Sequence, residues 1–174
     1  MAEHLNRSKV TASTIVPLNK IHDRKSFDCG KPPLNDFLVN RALNSPLGST
    51  YVLVSDPESS EIIAYLTLAP DIISILNNQS TKSLAGVIKL EYLAVDLKYK
   101  STGIGTDLLI FIMREVAAYS NISSVRLLAI EPLDKEAERW FVGRNFGFEV
   151  VYIPDRCLAI SIDTILNMDM SDEP

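Results

Sequence analysis

The chain has 174 residues, 47% of them hydrophobic and 22% charged, enough apolar material for one globular domain that hides roughly 70% of its unfolded surface. A disordered or fibrous protein is thereby excluded. Seventeen Lys and Arg stand against 22 Asp and Glu, a net charge of -5, which argues against a general polyanion-binding surface.

In chain order, residues 1–12 are polar and without period and read as a flexible N-terminal arm before a domain over 13–163. Thr14–Leu18 alternates weakly and predicts a first short strand. The Gly30-Lys31-Pro32-Pro33 turn then sets up a helix over Pro33–Leu43, with Leu34, Phe37, Leu38 and Leu43 able to share a face. Thr50–Ser55 and Ile62–Leu68 are β-rich runs around an Asp56-Pro57-Glu58 turn, the pattern of an antiparallel hairpin. Asp71–Ala85 is polar and reads as part helix, part loop. Val87–Val95 is a strong strand ended by Asp96. From Gly103 a long helix carries Ile104, Leu108, Leu109, Ile112 and Val116 at near-helical spacing.

Val125–Ile130 is a nearly continuous apolar run, as a buried central strand would be. Asp134 is a good N-cap for a further helix that ends near Phe146-Gly147-Phe148. Glu149–Ile153 and Leu158–Ile162 close the chain as two strands around Pro154-Asp155-Arg156. The order β, α, β, β, β, α, β, α, β, β predicts an α/β fold, a mixed and mostly antiparallel central sheet of six or seven strands flanked by helices. Residues 164–174 read as an acidic C-terminal tail. Asp163 to Pro174 hold four of the 22 acidic residues and no Lys or Arg, so the first 162 residues carry 17 positive and 18 negative charges.

Other features set the setting. No apolar run is long enough for a signal peptide or a membrane span, so no membrane partner is expected. Cys29 and Cys157 lie outside any CxxC pair and read as free thiols of a reducing cytoplasm. His4 and His22 have no partner at ligand spacing, so no metal site is expected.

The chemistry sits in LEYLAVDLKYKSTGIGTDLL, a strand joined to a helix by a glycine loop. Gly103 and Gly105 let backbone approach a ligand, and the first free amides of the helix point outward with the positive end of its dipole, an assembly suited to phosphate oxygens. The spacing matches neither GxGxxG nor GxxxxGK[ST], so a dinucleotide fold and a P-loop are both rejected.

The segment Leu93-Ala94-Val95-Asp96 followed by Lys100-Ser101-Thr102-Gly103-Ile104-Gly105 resembles the acetyl-coenzyme A signature of the GNAT N-acetyltransferase superfamily. EAERWF and NFGFE resemble that superfamily's closing helix and GF step, and FDCGKPPLNDFL resembles the opening of the GNAT toxins of type II toxin-antitoxin pairs. The resemblance implies a GNAT-like domain. It implies that the amides of Ser101, Thr102, Gly103, Ile104, Gly105 and Thr106 hold the pyrophosphate of acetyl-coenzyme A, that Lys100 at the head of the loop meets a cofactor phosphate, and that Leu93, Ala94 and Val95 pair with the pantetheine arm. It also implies N-acetyltransferase activity, an acetyl group passing to a primary amine by direct attack in a ternary complex.

Three departures bear on chemistry. The usual Gln or Arg at the head of the loop is Lys100, a charge without a guanidinium fork. The family's general-acid Tyr is missing: four residues before Gly147 stands Gly143, and with two residues inserted the place falls to Phe141. Glu91, two residues before Leu93 and on its face of the strand, is the candidate base. Finally, the Arg-rich segment common in the toxin branch is absent, since residues 71–89 offer only Lys82 and Lys89 against Asp71. The acceptor is therefore open among a small molecule, a peptide and an aminoacyl amine, with tRNA disfavoured by acidity. An antitoxin partner, a homodimer, and a catalytically weak acetyl-coenzyme A sensor stay open as well.

Overall fold

The computed structural model describes residues 14–76, 82–153 and 155–168. The predicted flexible arm lies outside them, as does most of the acidic tail. A seven-stranded sheet runs in the order β1-β2-β3-β4-β5-β7-β6. Its strands are β1 (Ile15–Pro17), β2 (Ser49–Leu53), β3 (Ala64–Leu76), β4 (Lys82–Val95), β5 (Val125–Ile130), β6 (Glu149–Ile153) and β7 (Asp155–Ser161). Pairs β1–β2, β2–β3, β5–β7 and β6–β7 are antiparallel, and β4–β5 is parallel. The helices are α1 (Pro32–Asp36), α2 (Ile104–Ser120), α3 (Lys135–Val142) and α4 (Ile162–Leu166). This is the expected α/β class.

The expectation of helix and loop over Asp71–Ala85 is corrected for residues 71–76 and 82–85, and its middle, 77–81, lies outside the described residues. Residues up to Leu76 continue β3, and β4 begins at Lys82. Exposed Ile72 and Leu84 break the in-out alternation there, so the extended backbone leaves no period in the sequence. The predicted helix over Pro33–Leu43 also changes character along its length. One α-helical stretch passes at Phe37 into a π-helical turn, Phe37–Arg41, and then into a 3-10 turn, Ala42–Asn44. At the other end, α3 stops at Val142 rather than near Phe146, because Asn145 (φ 56°) and Gly147 (φ 82°) turn the chain left-handed. Ile162 opens α4 instead of ending the last strand. Its N-cap is Ser161, whose Oγ accepts the Thr164 amide at 3.0 Å.

The chain gathers into two compact units, residues 14–68 with Tyr92–Phe111, and residues 69–91 with 112–168. The first is organised by aromatic rings. Phe27 stands edge-on to Tyr65 at 5.5 Å, and Phe37 stacks on Tyr92 at 3.7 Å. Around them lie buried Cys29, Leu38, Val52, Val54, Ile62 and Ala94. Burial drives the Tyr65 phenol far above its ordinary value, so its hydroxyl keeps its proton and donates a hydrogen bond to the Leu34 carbonyl at 2.9 Å. In the second unit Val87, Ala129 and Ala159 form one cluster, with Ile73 and Leu127 packed on it. Asp134 caps α3 by accepting the Ala137 amide at 2.8 Å, as its sequence position predicts.

Candidate functional site

The parallel pairing of β4 with β5 runs from Gly86↔Val125 to Leu90↔Ile130 and stops there. Residues 91–95 of β4 run past it. Among the described residues, no strand pairs with that edge of Leu93, Ala94 and Val95. Ala94 points into the first unit's core, while Leu93 and Val95 are half-buried. A chain of amides laid along this edge would therefore meet free backbone donors and acceptors.

Beyond Val95 the chain turns sharply. Asp96 caps a 3-10 turn, Leu97–Tyr99, through Oδ1, which accepts the Lys98 amide at 2.9 Å. The Lys100 amide closes the turn on the Leu97 carbonyl at 3.3 Å. Ser101 then takes φ 63° and Gly103 φ 94°, two left-handed residues on either side of Thr102. A Cβ placed on Gly103 would meet nothing within 4 Å, so the space above the loop is open. Thr106 and Asp107 turn their amides back onto the Gly103 carbonyl at 2.9 and 3.1 Å. Ile104 and Gly105 open the helix and have no intrahelical acceptor. Among the described residues, none of the amides from Ser101 to Gly105 has a loop or side-chain acceptor. They form a cradle of donors left without such an acceptor at the head of a 17-residue helix.

The side chains of Thr102, Lys98 and Tyr99 are committed elsewhere. Thr102 donates its hydroxyl to the Tyr99 carbonyl at 2.6 Å, which leaves its amide as the useful group. Lys98 pairs with Glu61 at 3.3 Å, and the Tyr99 hydroxyl donates to the same oxygen at 3.2 Å. Lys100 is exposed, with its ammonium 3.7 Å from where a Gly30 Cβ would stand. Lys100, Ser101, Thr102 and Gly103 are exposed and Ile104, Gly105 and Thr106 partly so, with the amides of Lys100 and Thr106 already given to the Leu97 and Gly103 carbonyls.

Glu91 lies in β4 with its carboxylate 3.3 Å from the Lys89 ammonium, which also pairs with Glu131 at 2.9 Å. Burial alone would lower Lys89, but the hydrogen bond to Glu131 and the charges of Glu91 and Glu131 outweigh it and hold the ammonium above the ordinary lysine value. The two places where the missing Tyr could fall are both closed. Phe141 is a core ring, edge-on to Trp140 at 4.8 Å and to Phe148 at 6.0 Å. At Gly143 a Cβ would stand 2.9 Å from the Arg139 carbonyl oxygen. Among the described residues no group of His, Cys, Asp and Glu could hold a metal ion, and no helix is long and apolar enough to cross a membrane.

Sequence reading missed the group beneath the loop. Asp28 and Asp96, 68 positions apart, are joined by the Asp28 amide donating to Asp96 Oδ2 at 2.9 Å. The spacing of FDCGxxxLN carries a signal only for the local half of this group, since its Asp, Gly and Asn bond to one another.

No protein-family model matches the chain. Solved structures do resemble it. A tyrosine-to-phenylalanine mutant of KacT is 24% identical, with TM-score 0.76 over 88% of this chain and 96% of that one. An AtaT mutant toxin with the same kind of substitution, bound to the C-terminus of the antitoxin AtaR and acetyl-CoA, is 23% identical, with TM-score 0.74 over 87% and 94%. AtaT complexed with acetyl-methionyl-tRNAfMet is 21% identical, with TM-score 0.74 over 88% and 96%. The chain has the fold of these proteins, the GNAT fold.

Proposed function

We propose that this chain binds acetyl-coenzyme A along β4 and its glycine loop, and that it is an N-acetyltransferase acting on a primary amine. The observation that carries the reading is the continuity of two features: a strand edge without a partner strand at Leu93–Val95, and amides without a loop or side-chain acceptor from Ser101 to Gly105. Pantetheine has two amide groups that suit the first, and a pyrophosphate suits the second. Gly103 fits the group because the space a Cβ would fill is left open, and Lys100 adds a positive charge at the head of the cradle. When bound, acetyl-coenzyme A supplies an acetyl group already activated as a thioester.

The chain's own residues orient and move protons. Amide donors that no other group of the loop occupies can take the phosphates without first breaking a hydrogen bond. Glu91 is the base in this reading, a carboxylate held in place by Lys89 that takes the proton an acceptor ammonium must lose before it can attack. No tyrosine acid is needed for a thiolate leaving group, whose ordinary pKa is about 8.5.

Two observations support narrower readings. The FDCG opening and the fold shared with AtaT, which has been solved with an antitoxin segment and with acetyl-methionyl-tRNAfMet, favour an aminoacyl-tRNA acceptor and an antitoxin partner. The closed positions at Gly143 and Phe141 favour a sensor that binds the coenzyme and turns over slowly. Release of free thiol from acetyl-coenzyme A, followed against amines, peptides and charged tRNA, separates them. The N-acetyltransferase reading expects release with at least one acceptor, reduced about a hundredfold in kcat by Glu91→Gln. Coenzyme binding without release on any acceptor would select the sensor instead.

A further inference from the structure

The FDCGxxxLN segment is not used by the site described above, yet its polar groups converge on the root of the glycine loop. Its Asp28 amide donates to Asp96 Oδ2 at 2.9 Å, and the Leu97 amide donates back to the Asp28 carbonyl at 2.8 Å. This reciprocal pair closes a ring between two segments of the first unit. Asp96 is 3% exposed, and its other oxygen caps the turn that leads into Lys100. A buried carboxylate that accepts two amides is held in one orientation, because freeing either donor would leave charge and donor unpaired.

The Asp28 side chain then locks its own loop. Its Oδ1 accepts the Gly30 amide at 2.8 Å and the Asn35 side-chain amide at 2.7 Å, and Asn35 Oδ1 accepts the Cys29 amide at 3.0 Å. Gly30 has φ 76°, and a Cβ there would come 3.3 Å from Leu97 Cδ2. Only glycine lets this loop lie directly against the turn.

We propose that Asp28, Asn35 and Asp96 are positioning residues for the coenzyme: a hydrogen-bonded latch that holds the turn Leu97–Tyr99, and through it the amides from Ser101 to Gly105, in the phosphate-binding conformation. The latch works through hydrogen bonds and shape rather than through the charge Asp28 places beside Lys100. The proposal rests on the coenzyme reading for its ligand. Its structural half is readable without one.

The test combines amide hydrogen exchange of the free chain with titration of acetyl-coenzyme A. Asp28→Ala removes the side-chain acceptor, and Asp28→Asn keeps an acceptor oxygen for Gly30 and Asn35 while removing the charge. Asn35→Ala is the second route should the alanine at position 28 fail to fold, and Asn40→Ala, on the same helical segment, is the control. The latch predicts faster exchange in Asp28→Ala at the amides of Leu97, Lys98, Tyr99, Lys100 and Thr106, with wild-type rates in β2. It also predicts a Kd for acetyl-coenzyme A raised about tenfold, and Asp28→Asn within about twofold of wild type on both readouts. Unchanged exchange at the loop in Asp28→Ala or Asn35→Ala would overturn it. So would an Asp28→Asn variant as weak as the alanine, since charge would then be responsible. Should wild type bind no acetyl-coenzyme A while Asp28→Ala still loosens the loop, the coenzyme reading and the ligand half of the proposal fall, and the latch itself stands.

Discussion

At the residue scale, backbone conformation decides the site. Ser101 holds φ 63°, a region that costs a residue with a Cβ about 1 kcal/mol and is commonly retained where a loop must face a ligand. Ser101→Gly should therefore stabilise the free chain by up to about 1 kcal/mol in urea denaturation. His22 gives a pH dependence. Its ring is 3% exposed, Nδ1 accepts the Asn19 amide at 3.0 Å, and Nε2 has no partner among the described residues. Burial holds its pKa below the ordinary 6.5. The unfolded chain thus takes up the proton more readily than the folded one. The stability contributed by the neutral ring is complete above pH 6.5 and is lost as pH falls through the folded value. Urea midpoints measured from about pH 7 down to about pH 5 should fall more steeply for wild type than for His22→Gln. Of these residues the sequence made Gly103 legible, through its spacing from Gly105. The left-handed Ser101 and the Asp28–Asp96 bond were not, because no local pattern marks a serine forced to positive φ or a contact 68 positions apart.

At the element scale, strands and helices with a strong apolar period were legible and the others were not. Val125–Ile130 is β5 to the residue, and α2 starts at Ile104, one residue after the predicted glycine, with Leu108, Leu109, Ile112 and Val116 all buried. The long arms of β3 and β4 escaped detection because they expose Ile72 and Leu84 among polar residues. The π-helical turn at Phe37–Arg41 escaped because it keeps helical composition. Its Val39 carbonyl is taken by the Arg24 guanidinium at 2.7 Å, a partner 15 residues away. The end of α3 bears on catalysis. Gly143→Tyr would place a phenol where the family resemblance expects one, but its Cβ must displace the Arg139 carbonyl. The expected result is a loss of about 1 to 3 kcal/mol in stability with no gain in thiol release. A rise in turnover would mean that α3 yields and that the acid is merely missing.

At the scale of the whole molecule, the charge of -5 is a guide to the acceptor rather than to the fold. Lys89 is paired with Glu91 and Glu131, and Lys98 with Glu61, so these two cations, on β4 and beside the glycine loop, have less to give a nucleic acid. Amides need no net charge to hold a pyrophosphate, and an acidic chain can bind one. The central claim is that the loop from Lys100 to Thr106 binds acetyl-coenzyme A, and thermal denaturation with and without the coenzyme tests it most directly. At 100 times its Kd the ligand should stabilise the fold by about 2.7 kcal/mol, a rise in Tm of about 5 to 10 °C for a chain of this size. Gly103→Asp, which puts a carboxylate into the open space above the cradle, should abolish that rise. No shift in wild type, or a shift that Gly103→Asp leaves unchanged, would contradict the assignment.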